Sequence, residues 1–143
     1  ENGTWTIPAA RMKAGKEHIV PLSSACMSIL TGISKGKNLE FLFKGRSGML
    51  SDMTLGKLIK SLHNKDLEKG NGFFDPVSGR IATTHGFRST FRDWAAEETS
   101  FSREVIEHCL AHQLKDKSEA AYQRSTTLNK RARLMQDWCD YLN

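Results

Sequence analysis

The stretch Thr83-Thr84-His85-Gly86-Phe87-Arg88 decides how the chain is read. Either threonine can cap a helix running from Gly86 to about Glu98, whose Phe87, Phe91, Trp94 and Ala95 share one side. His85 and Arg88 are three residues apart, so at the start of that helix they point the same way. The first turn of a helix also offers N–H donors and a positive dipole end, both suited to an anion. The planar guanidinium fork matches two phosphate oxygens. Taken alone, the pair is better explained by a capping histidine and a surface arginine, since such a spacing is common by chance. Its meaning depends on what the rest of the chain places beside it.

Downstream, Ser102 caps a helix with Val105, Ile106, Cys109 and Leu110 facing inward, and Leu110-Ala111-His112 closes it. A short helix is expected over 118–122, containing Ala120-Ala121-Tyr122-Gln123-Arg124. The last helix runs from Leu128 to Leu142 and buries Leu128, Met135, Trp138, Cys139 and Leu142.

Upstream, Thr4-Trp5-Thr6-Ile7 alternates and is rich in strand formers until Pro8 ends it. Glu17-His18-Ile19-Val20-Pro21 reads as a second strand. The basic connection Ala10 to Lys16 makes the pair a hairpin with Arg11, Lys13 and Lys16 at its tip, able to reach a phosphate backbone. A lysine-rich solvated loop explains the same residues. Ser23 or Ser24 caps a helix through Met27, Ile29 and Leu30, with Gly32 as its stop. Glu40-Phe41-Leu42-Phe43 reads as a buried strand or extended segment. Ser51 or Asp52 caps another helix, with Met53, Leu55, Leu58, Ile59 and Leu62 at helical spacing. Residues 64–80 are polar and glycine-bearing and read as loop. The fold class is α+β: mainly α-helical, with a small antiparallel sheet at the N-terminal end.

Composition bounds the function. At 143 residues the chain is one domain by length, and a chain of this size buries roughly 68–70% of its unfolded surface. Hydrophobic residues at 38% and charged residues at 26% describe a globular chain, not a disordered one. The net charge of +5 favours polyanionic partners, and seven basic residues against three acidic ones in positions 1–50 concentrate that excess near the hairpin. No apolar run approaches the roughly 18 residues of a membrane span, and no signal peptide is visible. Three widely spaced cysteines, Cys26, Cys109 and Cys139, suit a reduced, cytoplasmic setting. His108, Cys109 and His112 include a histidine pair four apart, but there is no second Cys/His cluster and Cys109 lies on the apolar side, which argues against a metal centre.

A tyrosine hydroxyl with a pKa near 10 is a poor nucleophile until cations or a base activate it, and a tyrosine between small residues is equally an amphipathic helix anchor. The ordered set changes the balance: a basic hairpin, then His85 and Arg88, then Leu110-Ala111-His112, then Tyr122 ten residues on. That order resembles the catalytic domain of tyrosine recombinases of the phage-integrase type, from Trp5 to Leu142. The resemblance also covers the hairpin pattern from Ile7-Pro8 to Pro21-Leu22 and Ala121-Tyr122-Gln123-Arg124.

The resemblance implies a site-specific recombinase that cuts and rejoins DNA in the integration of mobile elements, through a 3′-phosphotyrosyl intermediate. It makes Tyr122 the nucleophile, Arg88 the group that stabilises charge on the phosphorane-like transition state, Lys13 the general acid, and His85 a helper in proton transfer. His112 then hydrogen-bonds a non-bridging oxygen or the leaving group. Arg11, Lys16 and Arg124 contact the DNA backbone. No cofactor, metal or ATP is implied; the partners are double-stranded attachment-site DNA and further copies, with a tetramer on DNA in the full-length protein, and no membrane. The last helix in such proteins often packs on a neighbouring subunit, and docking on its own core is the alternative.

The family also uses an earlier arginine, on a helix before the hairpin, for which nothing upstream of Trp5 provides a match. The expectation is therefore an N-terminally truncated catalytic domain over residues 1–143, without upstream DNA-binding domains, that cleaves poorly by itself. The competing reading is a non-catalytic helical DNA-binding module of a regulator.

Overall fold

The computed structural model of the chain describes residues 3–35, 40–45, 48–112 and 127–143, which divide into two units. The first comprises residues 1–36 and 91–143, the second residues 37–90.

The first unit opens with the expected hairpin. β1 (Thr4–Ile7) pairs antiparallel with β2 (His18–Pro21), Thr4 opposite Pro21 and Ile7 opposite His18. Pro8 starts a 3-10 turn over Ala9–Arg11, where its fixed φ suits a helical first turn. Gly15, with φ +62, then reverses the chain and donates its N–H to the Met12 carbonyl at 3.0 Å. Arg11, Lys13 and Lys16 are all exposed on this connection.

α1 (Ser24–Ser34) is capped by Ser23, whose hydroxyl accepts from the Cys26 N–H at 3.4 Å. It runs through Gly32 rather than stopping there. A single glycine weakens a helix interior by only about 1 kcal/mol, and the helix continues to Ser34, with Lys35 at φ −55 closing it.

Three further elements build the core. The part of α3 (Gly86–Glu98) from Phe91 onward, α4 (Arg103–Cys109) and α5 (Leu128–Leu142) bury Phe91, Ala95, Val105, Ile106, Leu110 and Leu134. Trp94, Phe101, Cys109, Met135 and Trp138 pack around them. The aromatic rings interlock: Phe91 meets Trp138 edge-on at 5.7 Å, and Trp138 stacks on Tyr141 at 5.6 Å. The bounds of α5 match the sequence expectation, and its inward face is completed by Leu134, fully buried. Leu142 is 62% exposed, contrary to the expectation that it is buried; it lies beyond Cys139, the last buried position of the helix.

α5 also ties the other pieces in. Buried Arg131 donates through Nη2 to the Ile19 carbonyl of β2. Gln136 accepts from the Ser24 N–H at 2.9 Å and donates to the Ser24 hydroxyl at 3.1 Å, satisfying a first-turn donor of α1.

In the second unit, β3 (Lys44–Gly45) pairs with β4 (Gly48–Met49). Residues 40–43 form neither a strand nor a buried segment: Leu42 is 44% and Phe43 55% exposed, and the pairing begins one residue later. α2 (Thr54–Leu67) starts beyond Asp52, with the Ser51 hydroxyl accepting from the Met53 N–H at 3.3 Å. It continues into the stretch read as loop, and its one buried residue is His63. Leu55, Leu58 and Leu62 lie about half exposed; periodicity tells which residues share a face, not whether anything covers it.

The residues after α2 are knit together rather than loose. His63 Nδ1 accepts from the Phe73 N–H at 2.9 Å, and its ring meets Phe74 edge-on at 4.7 Å. Gly72, with φ +88, is required here, since a Cβ would lie 2.9 Å from the Phe74 ring. Asp75 accepts from the Val77 and Ser78 N–H groups at 3.1 and 2.5 Å, an Asx turn that closes the loop before the Phe74–Ile81 bridge.

The architecture is mixed α+β, with five helices and two short antiparallel hairpins among the described residues. No described helix is long and apolar enough to cross a membrane.

Candidate active site

The start of α3 forms as its sequence dictates. Thr83 accepts from the Gly86 N–H through both its carbonyl (3.0 Å) and its hydroxyl (3.2 Å), which fixes the first turn. His85 stands just before the helix and Arg88 on its first turn, both exposed, in the second unit. Phe87 between them is 61% exposed and does not join the apolar face expected of it, which begins at Phe91 one turn later.

His112 is positioned by the way α4 ends. Its N–H bonds back to the Glu107 carbonyl at 3.0 Å, and the Ala111 N–H bonds to the His108 carbonyl at 3.2 Å. Ala111 takes φ +54, the left-handed conformation. These are the paired bonds of a Schellman motif, in which the residue after the left-handed one folds back over the last turn. His112 is that residue, so its ring comes down beside the side chain of Glu107.

There the two side chains meet. His112 Nδ1 lies 2.5 Å from Glu107 Oε2, and Arg92 Nε donates to Glu107 Oε1 at 2.8 Å. The Glu107 side chain is 11% exposed, against 47% for His112 and 46% for Arg92. Burial by itself pushes the carboxyl up, but the hydrogen bonds and charges of Arg92 and His112 outweigh it and hold Glu107 below its ordinary value. The carboxylate is therefore ionised at neutral pH, acceptor-only, and both its oxygens are engaged. In the same way the Arg92 guanidinium is pushed further up, first by its hydrogen bond to Glu107.

Neither Glu107 nor Arg92 stood out in the sequence. The available signal was an acidic residue on the inward face set by Val105, Ile106 and Leu110, since a charge at a buried position is retained only with partners. Which partners it has depends on the fold.

His108 is hydrogen-bonded to the Thr127 hydroxyl at 3.2 Å. The last turn of α4 thus holds His112 through Glu107 and Thr127 through His108. Tyr122 and Arg124, together with the short helix expected over 118–122, lie outside the described residues. The remaining sequence-derived candidates fall in three groups: Arg11, Lys13 and Lys16 on the β1–β2 connection, His85 and Arg88 at the start of α3, and His112 at the end of α4. No group of three or more His, Cys, Asp or Glu suited to a metal ion occurs among the described residues.

Comparison with known proteins is uniform. The chain is 35% identical over 139 residues to the prophage integrase IntA of Escherichia coli K12, covering 95% of this chain and 30% of that protein. It is 30% identical over 160 residues to the integrase of enterobacteria phage P4 and 31% identical over 148 residues to that of Shigella phage Sf6, in each case covering all of this chain and 34% of the relative. The chain thus spans about a third of the length of the curated relatives it matches. No family model and no solved structure matches it.

Two outcomes follow from this geometry. Ala111→Gly removes the steric penalty of a left-handed alanine, about 1–2 kcal/mol, against the larger unfolded-state freedom of glycine. A net stabilisation of up to about 1 kcal/mol is expected in denaturant unfolding; a destabilised variant would contradict the Schellman geometry. Glu107→Gln removes a carboxylate whose folded pKa is depressed. The stability it contributes, on the order of 1–3 kcal/mol, is present above the ordinary glutamate value and is lost as pH falls through the lower folded value. The difference in unfolding free energy between wild type and E107Q should be full at neutral pH and shrink in the acid range. A difference independent of pH would show that the carboxylate is not held ionised by its neighbours.

Proposed function

We propose that the chain, similar to phage-type integrases over roughly one third of their length, carries out strand cleavage and rejoining in site-specific DNA integration through a tyrosine nucleophile. Tyr122 Oη attacks the scissile phosphorus, forming a 3′-phosphotyrosyl bond while the bond to the 5′ oxygen breaks. Lys13 gives a proton to the departing 5′ oxygen, and His85 takes up the phenol proton. Arg88 and His112 stabilise the negative charge that builds on the non-bridging oxygens. The phosphodiester energy is kept in the protein–DNA bond, so a 5′-hydroxyl from a second strand reverses the step and completes exchange. Arg11, Lys16 and Arg124 contact the phosphate backbone of double-stranded DNA, and the full-length protein works as a tetramer on its sites. The chain supplies the catalytic domain of that protein.

The observation that carries this reading is the similarity to integrases along the whole chain, coupled with the presence of every motif residue from Lys13 to Tyr122 in order.

Trapping on a nicked duplex tests the chemistry in the full-length protein. Wild type should yield an adduct that survives denaturing electrophoresis, Tyr122→Phe none while DNA affinity is kept, and Arg88→Ala an adduct formed about 10²–10³-fold more slowly. An adduct from Y122F would overturn the assignment of Tyr122; binding without any adduct from wild type would favour a module that binds DNA without chemistry. The hairpin contact has its own readout. Replacing Lys16 by Ala should weaken binding to all sequences alike and reduce the dependence of log affinity on log salt by about one phosphate's worth, a slope of about 0.9. An unchanged slope would remove Lys16 from the interface.

A further inference from the structure

We propose that Glu107 is a positioning residue for His112: with one oxygen held by Arg92 and the other on His112 Nδ1, it fixes the imidazole so that Nε2 is the nitrogen addressed to the phosphate. The proposal rests on the reading of His112 as a phosphate ligand given above and adds the two residues that aim it.

Three observations carry it. First, an ionised carboxylate accepts but cannot donate, so the 2.5 Å contact requires the proton of that bond to sit on Nδ1. This is the arrangement by which a carboxylate sets the tautomer and orientation of a working histidine, leaving the far nitrogen to meet the ligand. When the ring carries both protons and gives Nε2–H to a non-bridging oxygen, Glu107 is the counter-ion already in place.

Second, the carboxylate is itself held. Arg92 occupies Oε1 at 2.8 Å from a different helix, so a Glu107 that swung away would lose that charge-assisted hydrogen bond together with the one to His112. His112 is half exposed and lies after the helix end, where an unbraced side chain would sample several rotamers.

Third, the position is unfavourable for a carboxylate on every other count. Glu107 sits on the last turn of α4, where the negative end of the helix dipole repels an anion, and it is buried on a helix that also carries the core residues Val105 and Ile106. What offsets these penalties in the structure is Arg92 and His112.

The test is a double-mutant cycle on the rate of covalent adduct formation by the full-length protein, with DNA affinity measured alongside. Glu107→Gln should slow adduct formation about 10–100-fold, the usual effect of losing a carboxylate that orients a working histidine, with affinity for DNA nearly unchanged. In a His112→Ala background the same Glu107→Gln change should have little further effect, because there is no ring left to aim. A merely structural role would slow both backgrounds alike, and that additive outcome would overturn the positioning role while leaving the function intact. Wild-type rates from His112→Ala would overturn the phosphate role of His112 and this proposal with it. No adduct from the wild-type protein would instead strike at the function itself. Should E107Q fail to fold, nitrogen-15 NMR of the histidine rings in the unaltered chain decides the matter: a His112 ring protonated on Nδ1 is expected, and a ring protonated on Nε2 alone overturns the proposal.

Discussion

A carboxylate buried at the wrong end of a helix constrains everything around it. Glu107 is taken out of water among apolar neighbours on the last turn of α4, and its charge is tolerable only with partners on both oxygens. That requirement dictates two features at once. α3 must present Arg92 toward α4, and the chain must fold back after α4 so that His112 reaches the other oxygen. The second demand explains why the helix ends in a Schellman turn even though the left-handed position is an alanine. The backbone strain at Ala111 and the ion pairing of Glu107 are two sides of one arrangement.

The core of the first unit is built so that this arrangement has a rigid base. Val105, Ile106 and Leu110 bury one side of α4 against Leu134 and the aromatic group of Phe91, Trp94 and Trp138. Arg131, on the same inward face of α5 as Leu134, reaches the carbonyl of Ile19 and so ties the hairpin strand β2 to the helices. Burial and the neighbouring arginine act in opposite directions on Cys109, with burial stronger, so its thiol is pushed up and stays a packing group. The basic residues of the β1–β2 connection are then carried on strands anchored to the core, while their own side chains remain in solvent.

Much of this was legible from residues alone, and what was missed has a common cause. Alternation in Thr4–Ile7, the short strand read over Glu17–Pro21 and the basic turn between them gave the hairpin. Thr83 gave the start of α3, and the spacing from Leu128 onward gave the limits of α5. Each of these signals is local. The errors concern what covers a face: Leu55, Leu58 and Leu62 keep helical spacing and yet stay half exposed, and Phe87 lies one turn outside the packed side of α3. Glu107 and Arg92 belong to the same class of miss. They are 15 residues apart and on different helices, so no pattern in either helix announces their bond. Of the candidate site, His85, Arg88 and the hairpin cations could be singled out by residue type and order, whereas the pair that braces His112 needed the packed helices to be seen.

The ion-paired group also runs against what stability alone would select. A buried charge network is commonly matched or bettered by apolar residues of similar volume. At position 107 an apolar side chain would join Val105, Ile106 and Leu110 and would spare the helix an anion at its negative end. Arg92 and His112, both about half exposed, could satisfy their charges in water. Nothing in the packing of α4 therefore calls for a carboxylate there. What the carboxylate supplies is direction: a proton fixed on Nδ1 of a half-exposed ring. A chain that needs His112 merely as a surface residue has no use for that bond. One that must present a single ring nitrogen to a phosphate does.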